Sequence, residues 1–70
     1  MDFFGEQIKK ERQLANMTVA ELATKARLSE QVIMNLEDGT MFPDVRHLMT
    51  LARAFGKHNG YFLTKLVYRQ

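Results

Sequence analysis

The chain has 70 residues, enough for one small domain, and a fold of that size buries only about 60% of its unfolded surface. At 46% hydrophobic and 26% charged residues, with a net charge of +2, its composition is that of a folded globular domain rather than a disordered segment. It has no cysteine and two isolated histidines, His47 and His58, which excludes a disulfide framework, thiol chemistry and a sulfur- or histidine-based metal cluster. No apolar run approaches the roughly 20 residues that span a bilayer. The opening Met1-Asp2-Phe3-Phe4-Gly5 lacks the basic flank and long apolar core of a signal peptide. A cytoplasmic protein is expected, with no membrane contact, cofactor, metal or small-molecule ligand.

Charge is unevenly spread. Residues 29–44 hold Glu30, Glu37, Asp38 and Asp44 and no Lys or Arg, whereas residues 45–70 hold Arg46, Arg53, Lys57, Lys65 and Arg69 and no acid. A basic face steers a protein toward phosphate, but solvated surface charge gives the same pattern, so charge alone decides nothing.

In chain order, the first helix is expected over about residues 3–15, with Phe4 and Ile8 one turn apart on its inner face. Asn16 follows, a residue that tolerates the left-handed conformation at helix ends. Thr18-Val19-Ala20-Glu21 fits a capping box and starts a second helix over about residues 18–26, with Leu22, Ala23 and Ala26 inward. Ser29 reads as a fresh N-cap, so the break between helices is about three residues. The third helix runs over about residues 29–38, with Val32, Ile33 and Leu36 at helical spacing and Gly39 closing it. Its outward face carries Glu30, Gln31, Met34 and Asn35. Beyond the loop Thr40-Met41-Phe42-Pro43, Asp44 caps a fourth helix whose stripe is Val45, Leu48, Leu51, Ala52 and Phe55, ended by Gly56. The tail, residues 57–70, reads both ways. Phe62, Leu63, Leu66 and Val67 make a helical face, but Tyr61, Phe62, Thr64, Val67 and Tyr68 form strands well and Asn59-Gly60 signals a turn, which tilts the expectation toward a strand-like arm.

Two short helices joined by a three-residue break, the second presenting polar groups outward, make a helix-turn-helix. Ala23 supplies the small residue where the helices touch, and Ile33 and Leu36 the apolar anchors of the second. An α-helix fits the major groove of B-form DNA, where donor and acceptor patterns distinguish all four base pairs. No pair of side chains has the spacing of a nucleophile with its base or of metal ligands, so an enzyme is not expected.

The pattern Phe4-Gly5, Ile8, Arg12, Leu22-Ala23, Leu28-Ser29, Ile33, Leu36-Glu37-Asp38-Gly39 and Pro43 resembles the XRE-type helix-turn-helix family, which includes the Cro proteins and the repressor DNA-binding domains of lambda-like phages. The resemblance covers about residues 4–56. It implies an all-α, compact domain of four to five helices like that of lambda repressor, with the DNA-binding unit in residues 1–56 and a dimerisation segment in residues 57–70. It places Ser29, Glu30, Gln31, Val32, Met34 and Asn35 against base edges and flanking phosphates. Gln31 is suited to adenine and Glu30 to a cytosine amino group. Phosphate contacts are expected from Arg12, Thr18, Lys25, Arg27, Thr40 and Arg46, and an internal ion pair between Arg12 and Glu37.

The chain also departs from the family. Val19 stands where Gln is frequent, Arg27 where the turn usually has Gly, and Thr40-Met41-Phe42 where the loop is usually basic or polar. A single recognition helix reads only about four base pairs, so a homodimer on two half-sites is expected, paired through Tyr61, Phe62, Leu63, Leu66, Val67 and Tyr68. The partners implied are double-stranded DNA and a second copy, and the function a small Cro-like repressor of phage or mobile-element type, associated with the nucleoid. Restriction–modification control proteins and antitoxins are built in the same way. The rival expectation is a protein-interaction module on the same fold with weak or no DNA binding. Its motive is the acidic 29–44 segment together with Met41 and Phe42.

Overall fold

A computed structural model describes residues 4–62. Among these residues there are four helices and no strand: α1 (Phe4–Leu14), α2 (Val19–Ala26), α3 (Glu30–Asp38) and α4 (Val45–Ala54). Each of the last three starts at a side-chain cap. The Thr18 hydroxyl accepts from the Glu21 amide at 3.0 Å while the Thr18 amide donates to Glu21 Oε1 at 2.8 Å, completing the capping box. The Ser29 hydroxyl accepts from the Val32 amide at 3.1 Å. Asp44 accepts from the His47 amide at 2.9 Å, and its own amide donates to His47 Nδ1 at 3.2 Å. His47 is therefore a structural cap partner, a role its position in the sequence did not suggest.

The breaks between helices rest on left-handed residues. Asn16 at φ 58° ends the turn after α1, and Gly39 at φ 84° closes α3. At the C-cap of α2, Arg27 takes φ 59° and ψ 41°, and its amide donates to the carbonyls of Ala23 and Thr24. A side chain with a Cβ is disfavoured there, so the turn is strained where glycine would relax it.

The core is formed where α1 packs on α3 and α2 packs on both α3 and α4. Ile8, Leu22, Ile33, Leu51 and Ala52 are fully buried, with Ala23, Leu36 and Leu48 beside them. The close approach of α2 to its neighbours is possible because Ala23 and Ala26 present only a methyl group at the contact. Val45, expected on the inner stripe of α4, is instead 57% exposed. The apolar periodicity starts one turn before the packed segment, which begins at Leu48.

The core also extends past Gly56, beyond the division expected at residue 56. Tyr61 and Phe62 are helical, not strand-like, and Phe62 is fully buried. Its ring meets Phe4 edge-on at 5.4 Å between centroids and Phe55 at 6.1 Å. Tyr61 is held from two sides: its hydroxyl donates to Glu11 at 2.6 Å and Lys57 lies over its ring. The bond to Glu11, followed by burial, pushes the phenol pKa above its ordinary value. These ties accompany the helical conformation that Tyr61 and Phe62 take in place of the expected strand. Residues 63–70, with the expected contacts of Leu63, Leu66, Val67 and Tyr68, lie outside the described residues.

Candidate nucleic-acid interface

The α2–turn–α3 unit is fixed from within. Ile33 and Leu36 anchor α3 in the core, and Leu28 packs against it from the turn. At the far end of α3, Glu37 receives two bonds from Arg12, Nε at 2.6 Å and the second guanidinium nitrogen at 3.0 Å. The third nitrogen donates to the Met17 carbonyl at 3.0 Å, so one side chain joins α1, α3 and the loop before α2. The two side chains are 13% and 9% exposed, and the bonds to Glu37 hold the guanidinium above its ordinary pKa. An arginine whose nitrogens are all committed in this way is a brace for α3. One N–H on each terminal nitrogen remains, but with the side chain only 13% exposed little of the group faces outward for the expected second role on phosphate.

With its inner face locked, α3 turns the other side outward. Glu30 and Gln31 are exposed, Met34 is 43% exposed and Asn35 is half-buried. Gln31 Nε2 donates to Asn35 Oδ1 at 3.0 Å, an i,i+4 bond that sets the amide plane. The second Nε2 hydrogen and the carbonyl oxygen remain, which is the donor–acceptor pair an adenine edge requires. Val32 differs from the others in the expected set: half-buried and packed against the core, it presents only part of its side chain. Ser29 stands exposed at the start of the helix, with its hydroxyl accepting the cap bond.

The groups expected on phosphate differ in what they have to offer. Lys25, Arg27 and Arg46 are exposed. Thr18 uses its hydroxyl as an acceptor in the cap, so the proton stays available to donate. Thr40 is engaged otherwise: its hydroxyl donates to Asp38 at 2.7 Å and its amide to the same oxygen at 3.0 Å. These bonds, the hydroxyl first, hold the Asp38 carboxyl below its usual pKa and keep a negative charge beside Thr40. That neighbour opposes phosphate at this position. Phe42, in the same loop, is 96% exposed.

No helix among the described residues is long and apolar enough to cross a membrane, and no group of three His, Cys, Asp or Glu among them could hold a metal ion. A locked helix-turn-helix with a polar outer face and flanking cations defines a DNA-binding domain. The family model described as helix-turn-helix matches residues 8–61, and the chain belongs to the XRE-type helix-turn-helix family of DNA-binding transcription regulators. No curated protein matches the chain.

Proposed function

We propose that the chain is a Cro-like homodimeric repressor that binds a palindromic operator with α3 in the major groove. The observation that carries this reading is the division of α3 into two faces: Ile33, Leu36 and Glu37 are locked inside, while Glu30, Gln31 and Met34 stand exposed. In this reading Gln31 and Asn35 act as a coupled pair on base edges, and Glu30 and Met34 contact neighbouring bases, with Ser29 and part of Val32 at the edge. Lys25, Arg27, Arg46 and the Thr18 hydroxyl grip the flanking phosphates, and Arg12 positions α3 without touching DNA. The two-fold partner doubles both sets of contacts. Phe62, buried within the chain, is not available to that partner, whereas the exposed Phe42 and Val45 are.

A second reading, a protein-interaction module on the same fold, rests on the exposure of Phe42, whose ring is open to a contact. Selection of duplexes from a random DNA pool at about 150 mM salt separates the two, since non-specific phosphate binding is weak there. Enrichment of an inverted repeat with half-site centres about 10 base pairs apart is expected of the repressor. A flat pool from folded protein supports the interaction module.

A further inference from the structure

Where the C-terminal ends of α2 and α4 meet, the surface holds an open concavity of about 470 Å³ lined by Lys25, Ala26, Arg27, Thr50, Arg53 and Ala54. The lining contains three cations and no acid, and among the described residues none of the three is in an ion pair. Glu21, one turn before Lys25, has its carboxylate in the capping box. A plain explanation would be that Lys25 and Arg53 complement the negative ends of their helices. The backbone already caps part of each end. The Arg27 and Leu28 amides cap the Ala23 carbonyl at the end of α2, and the Gly56 and Lys57 amides cap the Arg53 and Ala52 carbonyls at the end of α4. The helix-end explanation also says nothing of Arg27, which accepts a left-handed backbone that glycine would adopt without strain. Strain kept at one position, with its side chain lining a basic concavity, suggests that the side chain is needed there.

We propose that this concavity binds phosphate, with Arg53 of α4 completing a site that Lys25 and Arg27 open from α2. The Thr50 hydroxyl, now in a long 3.3 Å bond to the His47 carbonyl, is within the same lining and can turn to a stronger acceptor. Two sources share this chemistry. One is a phosphodiester of the DNA backbone, in which case the inference adds Arg53 and Thr50 to the proposed DNA interface. The other is a free phosphorylated anion, in which case the domain carries an effector site apart from its recognition helix.

The test uses the full chain, Arg53→Gln and the conservative Arg53→Lys, with Lys9→Gln as a charge control on α1. Thermal unfolding is followed with about 10 mM pyrophosphate against chloride at equal ionic strength, and binding to a duplex of arbitrary sequence is followed against salt. If the phosphate is free, pyrophosphate raises the Tm of wild type, Arg53→Lys and Lys9→Gln by several degrees and that of Arg53→Gln far less. If it belongs to DNA, pyrophosphate has no such effect. Arg53→Gln then lowers the slope of log K against log salt by about 1 and Arg53→Lys restores it. Wild-type behaviour of Arg53→Gln in both measurements overturns the inference. Because the duplex is of arbitrary sequence, that result is independent of whether the protein has an operator. The flat selection that would refute the repressor leaves the pyrophosphate arm intact.

Discussion

Arg12 lies between α1 and α3 with its guanidinium nitrogens on Glu37 and the Met17 carbonyl, whereas Arg27 stands exposed at the α2–α3 turn in a conformation that costs the fold stability. Each arginine is within reach of the recognition helix by way of its own element. The first is engaged in holding that helix, and the second is exposed at the turn before it. The same contrast separates Glu37 from Glu30 on α3 and Phe62 from Phe42 among the aromatic residues. Closed groups set geometry and open groups meet a partner, so their substitutions should damage different properties.

The largest effect is expected at Phe62, whose ring fills the space between Phe4 and Phe55. Phe62→Ala should lower stability by about 3–5 kcal/mol in chemical denaturation. A loss under 1 kcal/mol would mean that the tail is not part of the core. Next comes the brace. Glu37→Ala strands the Arg12 guanidinium and should cost about 2–3 kcal/mol, and the double variant with Arg12→Ala should cost clearly less than the sum of the two single changes. Strict additivity in that cycle would show that the two groups do not act as a pair.

Arg27→Gly is expected to separate the two classes within a single residue. Release of the left-handed strain, offset in part by the greater chain entropy of glycine, should stabilise the fold by about 0.5–1 kcal/mol. The same change should weaken DNA binding evenly across sequences and reduce the salt slope by about 1. The smallest effect concerns acid. The His47 amide holds the Asp44 carboxyl below its usual pKa, as Thr40 does for Asp38. A lowered folded pKa means that the stabilisation is complete above the ordinary carboxylate range and is lost as pH falls through the lowered value. Asp44→Asn should therefore flatten the acid limb of the stability curve slightly, and an unchanged limb would remove Asp44 from the account.

The helix-turn-helix unit was legible because its signals are local. Thr18, Ser29 and Asp44 announce helix starts to amides three residues away, and Gly39 announces a stop, so neighbours in sequence suffice to read them. The Arg12–Glu37 pair spans 25 residues and came from the resemblance alone. The Tyr61–Glu11 bond spans 50, and no periodicity or motif connects its ends. For the same reason the strand-like tilt of the tail fails at Tyr61 and Phe62, the two residues of it that the structure describes as helical. Tyr61 and Phe62 favour strands by type, and only the pocket offered by Phe4 and Phe55 overrides that preference. The outward set on α3 followed from the helical period, but period cannot show that Thr40 is tied to Asp38 or that Val32 is half-covered. The concavity at Arg53 joins two elements some 25 residues apart in sequence, and nothing local marks it.

The central claim is that the open face of α3 reads sequence while the flanking cations only hold the backbone. Its most direct test is the affinity of wild type and Gln31→Ala for the selected site and for every single-base-pair variant of it. Loss of discrimination at one base pair in each half-site, worth about 1–3 kcal/mol there and little elsewhere, is the predicted result. A Gln31→Ala profile that parallels the wild type at every position would contradict it.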